Sequence, residues 1–149
     1  MSAYIQNKKA TFNYEILERF EAGITLAGYE VKAIRNGMGS LLGAFVIIRG
    51  NEAFLVKATI TPYQAPNTPK GYNPERVRKL LLNHKEISRL QKELNTAGLT
   101  LVPIKLYNAK SKIKLEIALV RGKKKADKRE SIKERDTKRD IERTLKNQF

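Results

Sequence analysis

From residue 14 apolar and polar positions alternate: Tyr14, Ile16 and Phe20 share one face, and Ile24 and Leu26 continue the pattern beyond Gly23. A period of two predicts one long strand, kinked at the glycine. The period then changes. Val31 and Ile34 lie three apart and the run stops at Asn36-Gly37, so residues 29–35 read as a short helix turning Glu30, Lys32 and Arg35 to solvent. Two β-rich runs, 44–49 and 53–60, flank Gly50-Asn51 and predict a hairpin. Residues 61–73 carry Pro62, Pro66, Pro69 and Gly71 and read as a loop.

Asn73-Pro74 looks like a cap followed by proline at the first helical position, predicting a helix that sets Arg76, Arg78 and Lys79 beside Leu80, Leu81 and Leu82. Asn83 with Glu86 three residues on forms a capping-box pattern and predicts a second helix, running through Ile87, Leu90 and Leu94 to Gly98. Alternation returns in 99–107 and 112–120, where Ile113, Leu115, Ile117 and Leu119 share a face and 108–111 supplies the turn. Residues 1–9 read as a loose basic arm.

Five or six antiparallel strands with late-inserted helices fit a mainly β domain: a closed barrel of the oligonucleotide-binding kind with about three peripheral helices. Residues 1–121 are long enough for one core. Residues 122–149 are not, since their only apolar side chains are Ala126, Ile132, Ile141, Leu145 and Phe149. Glu134/Lys138 and Glu142/Lys146 nevertheless sit four apart, the spacing of helical ion pairs. Winding this tail as a helix lines up Lys128, Arg135, Arg139 and Lys146, with Lys124, Lys125 and Arg143 nearby and most acids on the flanks or far side. The expectation is a tail disordered when free and helical when held.

Charge narrows the function. The chain has 30 basic and 15 acidic residues and a formal charge of +15 in 149 residues, which favours a polyanionic partner. No apolar run is long enough to span a bilayer and no signal peptide is evident, so nucleic acid is preferred over membrane and the cytoplasm is the expected compartment. There is no cysteine, His84 is the single histidine, and no phosphate-binding glycine loop occurs. No metal, cofactor or catalytic set is therefore expected, and the chain reads as a binder.

Four blocks sharpen this: Glu30-Val31-Lys32-Ala33-Ile34-Arg35, Glu75-Arg76-Val77-Arg78-Lys79-Leu80-Leu81-Leu82, Gly98-Leu99-Thr100-Leu101-Val102-Pro103 and Gly122-Lys123-Lys124-Lys125-Ala126-Asp127-Lys128-Arg129. In this order the sequence resembles the SmpB family of SsrA-binding proteins, partners of transfer-messenger RNA (SsrA RNA, tmRNA) in ribosome rescue. The resemblance runs from about residue 7 to residue 146. It implies an oligonucleotide-binding barrel, no catalytic activity, and two partners: the RNA, and the ribosome at its small-subunit decoding centre and messenger channel.

By motif match the resemblance implies that Glu30, Leu90 and Lys114 grip the elbow of the tRNA-like domain, with Lys32, Arg35, Arg76, Arg78 and Lys79 as further RNA-binding candidates. From periodicity alone Leu90 reads rather as a core residue. The same resemblance assigns Gly122, Lys123, Lys124, Asp127, Lys128, Arg129, Lys133, Arg135, Lys138 and Arg139 to the decoding centre and channel. Phe12 stands where the family often has histidine, and Asn73 where it usually has Asp. A structural protein embedded in ribosomal RNA is the alternative reading, and an enzyme acting on RNA ranks third.

Overall fold

The alternating runs become the strands of one barrel in the computed structural model, which describes residues 3–62 and 68–122. In chain order the elements are β1 (Ala3–Gln6), α1 (Lys8–Asn13), β2 (Tyr14–Ile24), α2 (Gly28–Arg35), β3 (Gly39–Ser40), β4 (Phe45–Arg49), β5 (Glu52–Val56), β6 (Thr59–Ile60), β7 (Arg78–Leu81), α3 (His84–Leu94), β8 (Leu99–Ala109) and β9 (Lys112–Gly122). The main sheet runs β1-β8-β4-β5-β7-β2-β9 and closes through β8–β9 pairing. All its pairs are antiparallel. β3 and β6 form a separate two-stranded ladder. The fold is mainly β, of the oligonucleotide-binding kind.

Closure buries one face of each strand. Phe20, Leu55, Leu80, Leu101, Leu115 and Ile117 fill the interior, with Ile34 of α2 and Leu90 of α3 packed into the same core. The capping box of α3 forms as the sequence predicts: the Glu86 N–H donates to Asn83 Oδ1 at 2.8 Å, and the Asn83 N–H to Glu86 Oε1 at 3.4 Å. β8 and β9 are the longest pair, from Leu99↔Arg121 to Ala109↔Lys112. On its other edge β9 pairs with β2 from Tyr14↔Gly122 to Gly23↔Lys114.

Four expectations need correcting. Residues 1–9 are not a loose arm, because β1 pairs with β8, Ile5 enters the core, and the Asn7 side-chain amide donates to the Pro103 carbonyl at 2.9 Å. Behind it, Ala10 of α1 is buried with Tyr14, Val102, Ile104, Ala118 and Val120 on the outside of the barrel. The predicted helix after Pro74 is instead a turn leading into β7. Asn73 accepts from the Glu75 N–H through its side chain and from the Arg76 N–H through its carbonyl. The chain then alternates, with Arg78 and Leu80 inward and Lys79 and Leu81 outward. Pairing with β2 and β5 decides the matter; three consecutive leucines satisfy either period, and tertiary context selects.

The predicted hairpin is shorter at its far end. Lys57 takes a left-handed φ of 63°, which ends β5 and lets Thr59 and Ile60 pair with β3. The register of β2 breaks between Ile16 and Glu18, not at Gly23. Three helices are present among the described residues, as expected in number, but α1 takes the place of the helix predicted after Pro74. The tail positions Lys123, Lys124, Asp127, Lys128, Arg129, Lys133, Arg135, Lys138 and Arg139 lie outside the described residues.

Candidate nucleic-acid interface

α2 begins without a side-chain cap from Ala27, and its first turn is closed from inside by Glu30, whose Oε1 accepts from the Ala27 N–H at 2.9 Å. This turns the carboxylate inward. With no side-chain exposure, it meets two guanidinium groups from beyond the loop. Arg78 donates to Oε2 from Nε at 3.0 Å and from Nη2 at 2.8 Å. Arg76 donates to Oε2 from Nε at 3.1 Å and to Oε1 from Nη2. The Tyr72 hydroxyl lies 3.0 Å from Oε2 and 2.9 Å from the Ile60 carbonyl, and accepts from Arg78 Nη2. Burial alone would push the Glu30 carboxyl up; the hydrogen bonds from Arg76, Ala27 and Arg78 and the Arg78 charge outweigh it and bring the group down to about 2.

The two arginines differ in access. Arg78 is fully buried and spends its remaining donors on the carbonyls of Ala58, Arg76 and Pro74. Arg76 keeps 34 % of its side chain exposed. Glu30, Arg78 and Leu90 therefore have no side-chain surface to offer an RNA. The expected direct contacts are not available to them, and they support the surface from beneath.

Lys114 differs: it lies partly exposed on the outer face of β9. Its neighbour on β2 is Gly23, and the neighbour of Gly23 on β7 is Leu81. A Cβ on Gly23 would stand 3.1 Å from Leu81 Cβ and 3.3 Å from its Cδ1, so the glycine is what lets Leu81 lie across the sheet. Leu81 is 57 % exposed although it stands in the middle of the barrel wall. Lys114, Gly23 and Leu81 thus form one row of cation, gap and apolar surface.

Across β9, the Tyr107 hydroxyl donates to Glu21 Oε2. Burial, with this hydrogen bond and the Glu21 charge, pushes the Tyr107 hydroxyl well above its ordinary value, so it remains a donor. Glu21 is exposed and makes no ion pair among the described residues. An anion beside basic side chains repels phosphate, but it accepts well from a base amino group or a ribose hydroxyl.

The remaining basic candidates lie on β7 and α2. Lys79 lies on the same side of β7 as Leu81 and pairs with Glu52 at 3.2 Å. Lys32 and Arg35 are exposed on α2, and Arg35 Nη2 donates to the Ser111 carbonyl at 3.3 Å, tying α2 to the β8–β9 turn. Gly122 ends β9 opposite Tyr14, at the other end of the sheet. The sequence reading did not single out Glu21, Gly23, Leu81 or Tyr107. Reading β7 as a strand would have put Leu81 opposite Leu80, and an exposed leucine beside cations is the available signal. Among the described residues no group of three potential ligands could hold a metal, and no helix is long and apolar enough to cross a membrane.

Comparison with known proteins follows the same line. The family model described as SmpB protein matches residues 4–147. The chain is 53 % identical over 133 residues to the SsrA-binding protein of Mesoplasma florum, covering 89 % of each chain. It is 49 % identical over 140 residues to that of a Sulfurihydrogenibium species, covering 94 % of this chain and 91 % of the relative. A solved structure described as "tmRNA-SmpB: a journey to the center of the bacterial ribosome" matches with a TM-score of 0.66 at 42 % identity, over 80 % of this chain and 83 % of the other.

Proposed function

Because the chain belongs to the SmpB family, we propose that it is an RNA-binding adaptor of trans-translation. It binds the tRNA-like domain of transfer-messenger RNA and delivers that RNA to stalled ribosomes. The observation that carries the RNA-binding half is the Lys114, Gly23, Leu81 row beside Glu21: a cation for phosphate, an apolar plane for a base or ribose, and an acceptor for a hydroxyl or amino group. Lys79, Arg76, Lys32 and Arg35 extend the positive field around it.

Residues 1–121 form the RNA-binding body in this reading, and 122–149 the basic tail. The tail takes the ribosomal role, with Asp127, Lys128 and Arg129 at the decoding centre and Lys133, Arg135, Lys138 and Arg139 along the messenger channel. Its sorted basic charge suits a channel walled by RNA. The protein works in the cytoplasm and acts by binding alone.

Sequencing the RNA that co-purifies with the full-length tagged chain tests the function: enrichment of transfer-messenger RNA is expected. Enrichment of ribosomal RNA alone, at one copy of protein per ribosome and resistant to high salt, overturns it in favour of a structural ribosomal component. Leu81→Ala and Lys114→Ala each weaken binding to a tRNA-like-domain transcript if this face is the site.

A further inference from the structure

The buried ionic cluster under the outer wall of the barrel does not balance. Two guanidinium groups share the single Glu30 carboxylate, and the fourth member, Tyr72, is neutral. Its hydroxyl is pushed up, first by burial and then by the Glu30 charge, and keeps its proton. The cluster carries one net positive charge. Arg78 cannot present it, because its side chain is fully buried and its donors end on Glu30, Tyr72 and three carbonyls.

Arg76 can present it. Two of its nitrogens are committed to Glu30, while its other contacts, Nη1 to the Val77 carbonyl and Nη2 to the Thr25 carbonyl, are both long at 3.4 Å. A third of the side chain remains exposed. Its location joins it to the face already described: Thr25 follows Gly23 by two residues on the β2 side, and the Thr25 N–H donates to the Lys79 carbonyl of β7 at 3.0 Å.

We infer that Arg76 is a pre-oriented phosphate anchor at the edge of the Leu81 and Lys114 face, and that Glu30 is the positioning residue that fixes its guanidinium. This rests on the RNA-binding reading. A surface lysine such as Lys79 must lose side-chain freedom to hold a phosphate, whereas Arg76 is already ordered by Glu30 before RNA arrives, so less entropy is lost per contact. The geometry also explains why a carboxylate lies beneath an RNA surface: it is shielded by two cations and orients one of them outward.

The test is the salt dependence of binding of the full-length chain to a fluorescein-labelled tRNA-like-domain transcript, since each phosphate neutralised contributes ~0.7–0.9 to the slope of log K against log salt. Arg76→Gln is expected to reduce the slope by about one such contact and to remain folded, because Arg78 still neutralises Glu30. Arg76→Lys keeps the charge but cannot fork onto Glu30; it is expected to retain the slope and lose about 2- to 12-fold in affinity, the cost of ordering one long side chain. A melting curve of each variant checks the fold. Wild-type slope and affinity in both variants overturn the inference and leave Arg76 a structural residue. Wild-type affinity in Arg76→Lys with a reduced slope in Arg76→Gln overturns the positioning role of Glu30. Failure of the unmodified chain to bind the transcript refutes the proposed function instead.

Discussion

Leu90 and Leu81 make a matched pair for separating support from contact, because the same truncation acts on a closed core site and on an open surface. Leu90 has no exposed side-chain area and packs into the main core from α3. The closed barrel beneath it has little freedom to collapse, so Leu90→Ala is expected to cost about 3–4 kcal/mol, within the range for buried Leu→Ala changes. With an unfolding entropy of ~2.1 cal/mol/K per residue over roughly 120 residues, each kcal/mol lowers Tm by about 4 °C. Leu90→Ala should therefore melt about 12–16 °C below the parent. Leu81 is 57 % exposed, and losing its smaller contact with Gly23 should cost under ~1 kcal/mol, or less than about 4 °C. RNA binding inverts the order. Measured by anisotropy well below both melting points, Leu90→Ala should stay within about 2-fold of the parent, while Leu81→Ala, at the centre of the proposed contact, should lose ~5-fold or more. A Leu90→Ala variant with parental Tm and abolished RNA binding would refute the reasoning.

Acid should act on the Glu30 cluster. Its folded carboxyl lies near 2 against an ordinary 4.5, so its stabilisation is present above pH 4.5 and is lost as pH falls from 4.5 through 2. Urea midpoints between pH 6 and 2.5 should fall less steeply in Glu30→Gln, and equal slopes would count against the cluster. Gly39→Ala should destabilise by about 1–3 kcal/mol, because its Cβ would stand 2.7 Å from the Thr59 carbonyl oxygen and 3.0 Å from Ile5 Cδ1; an unchanged Tm would show that the β3–β6 ladder opens freely. Truncation after Arg121 should leave most affinity for the isolated RNA, whereas Lys128→Glu with Arg129→Glu should stop peptide tagging on stalled ribosomes. Strong loss of RNA affinity in the first case, or normal tagging in the second, would reverse the proposed division between body and tail.

What the sequence made legible was what depends on neighbours in the chain. The α3 start followed from Asn83 and Glu86, and β8 and β9 from uninterrupted alternation around a short turn. What it concealed depends on partners far along the chain. Glu30 reads as a solvent-facing helix residue, and its burial is set by arginines 46 and 48 positions away. Leu80, Leu81 and Leu82 carry no period of their own, and pairing of β7 between β2 and β5 decides which leucine faces out. Asn73-Pro74 gives a genuine local signal, but the turn it forms is not extended by a helix.

The placement of β9 has a mechanical consequence. It is laddered on both edges, to β8 from Leu99↔Arg121 to Ala109↔Lys112 and to β2 from Tyr14↔Gly122 to Gly23↔Lys114. Lys114 and Gly122 are eight residues apart on it, about 27 Å at ~3.4 Å per residue. A force pulling the chain at Gly122 while RNA holds the barrel at Leu81 of β7 runs along the axis of β9 and must cross to its neighbours, so it loads both ladders in shear. Their hydrogen bonds then resist together, whereas a tail leaving from an unpaired edge would peel them off one after another.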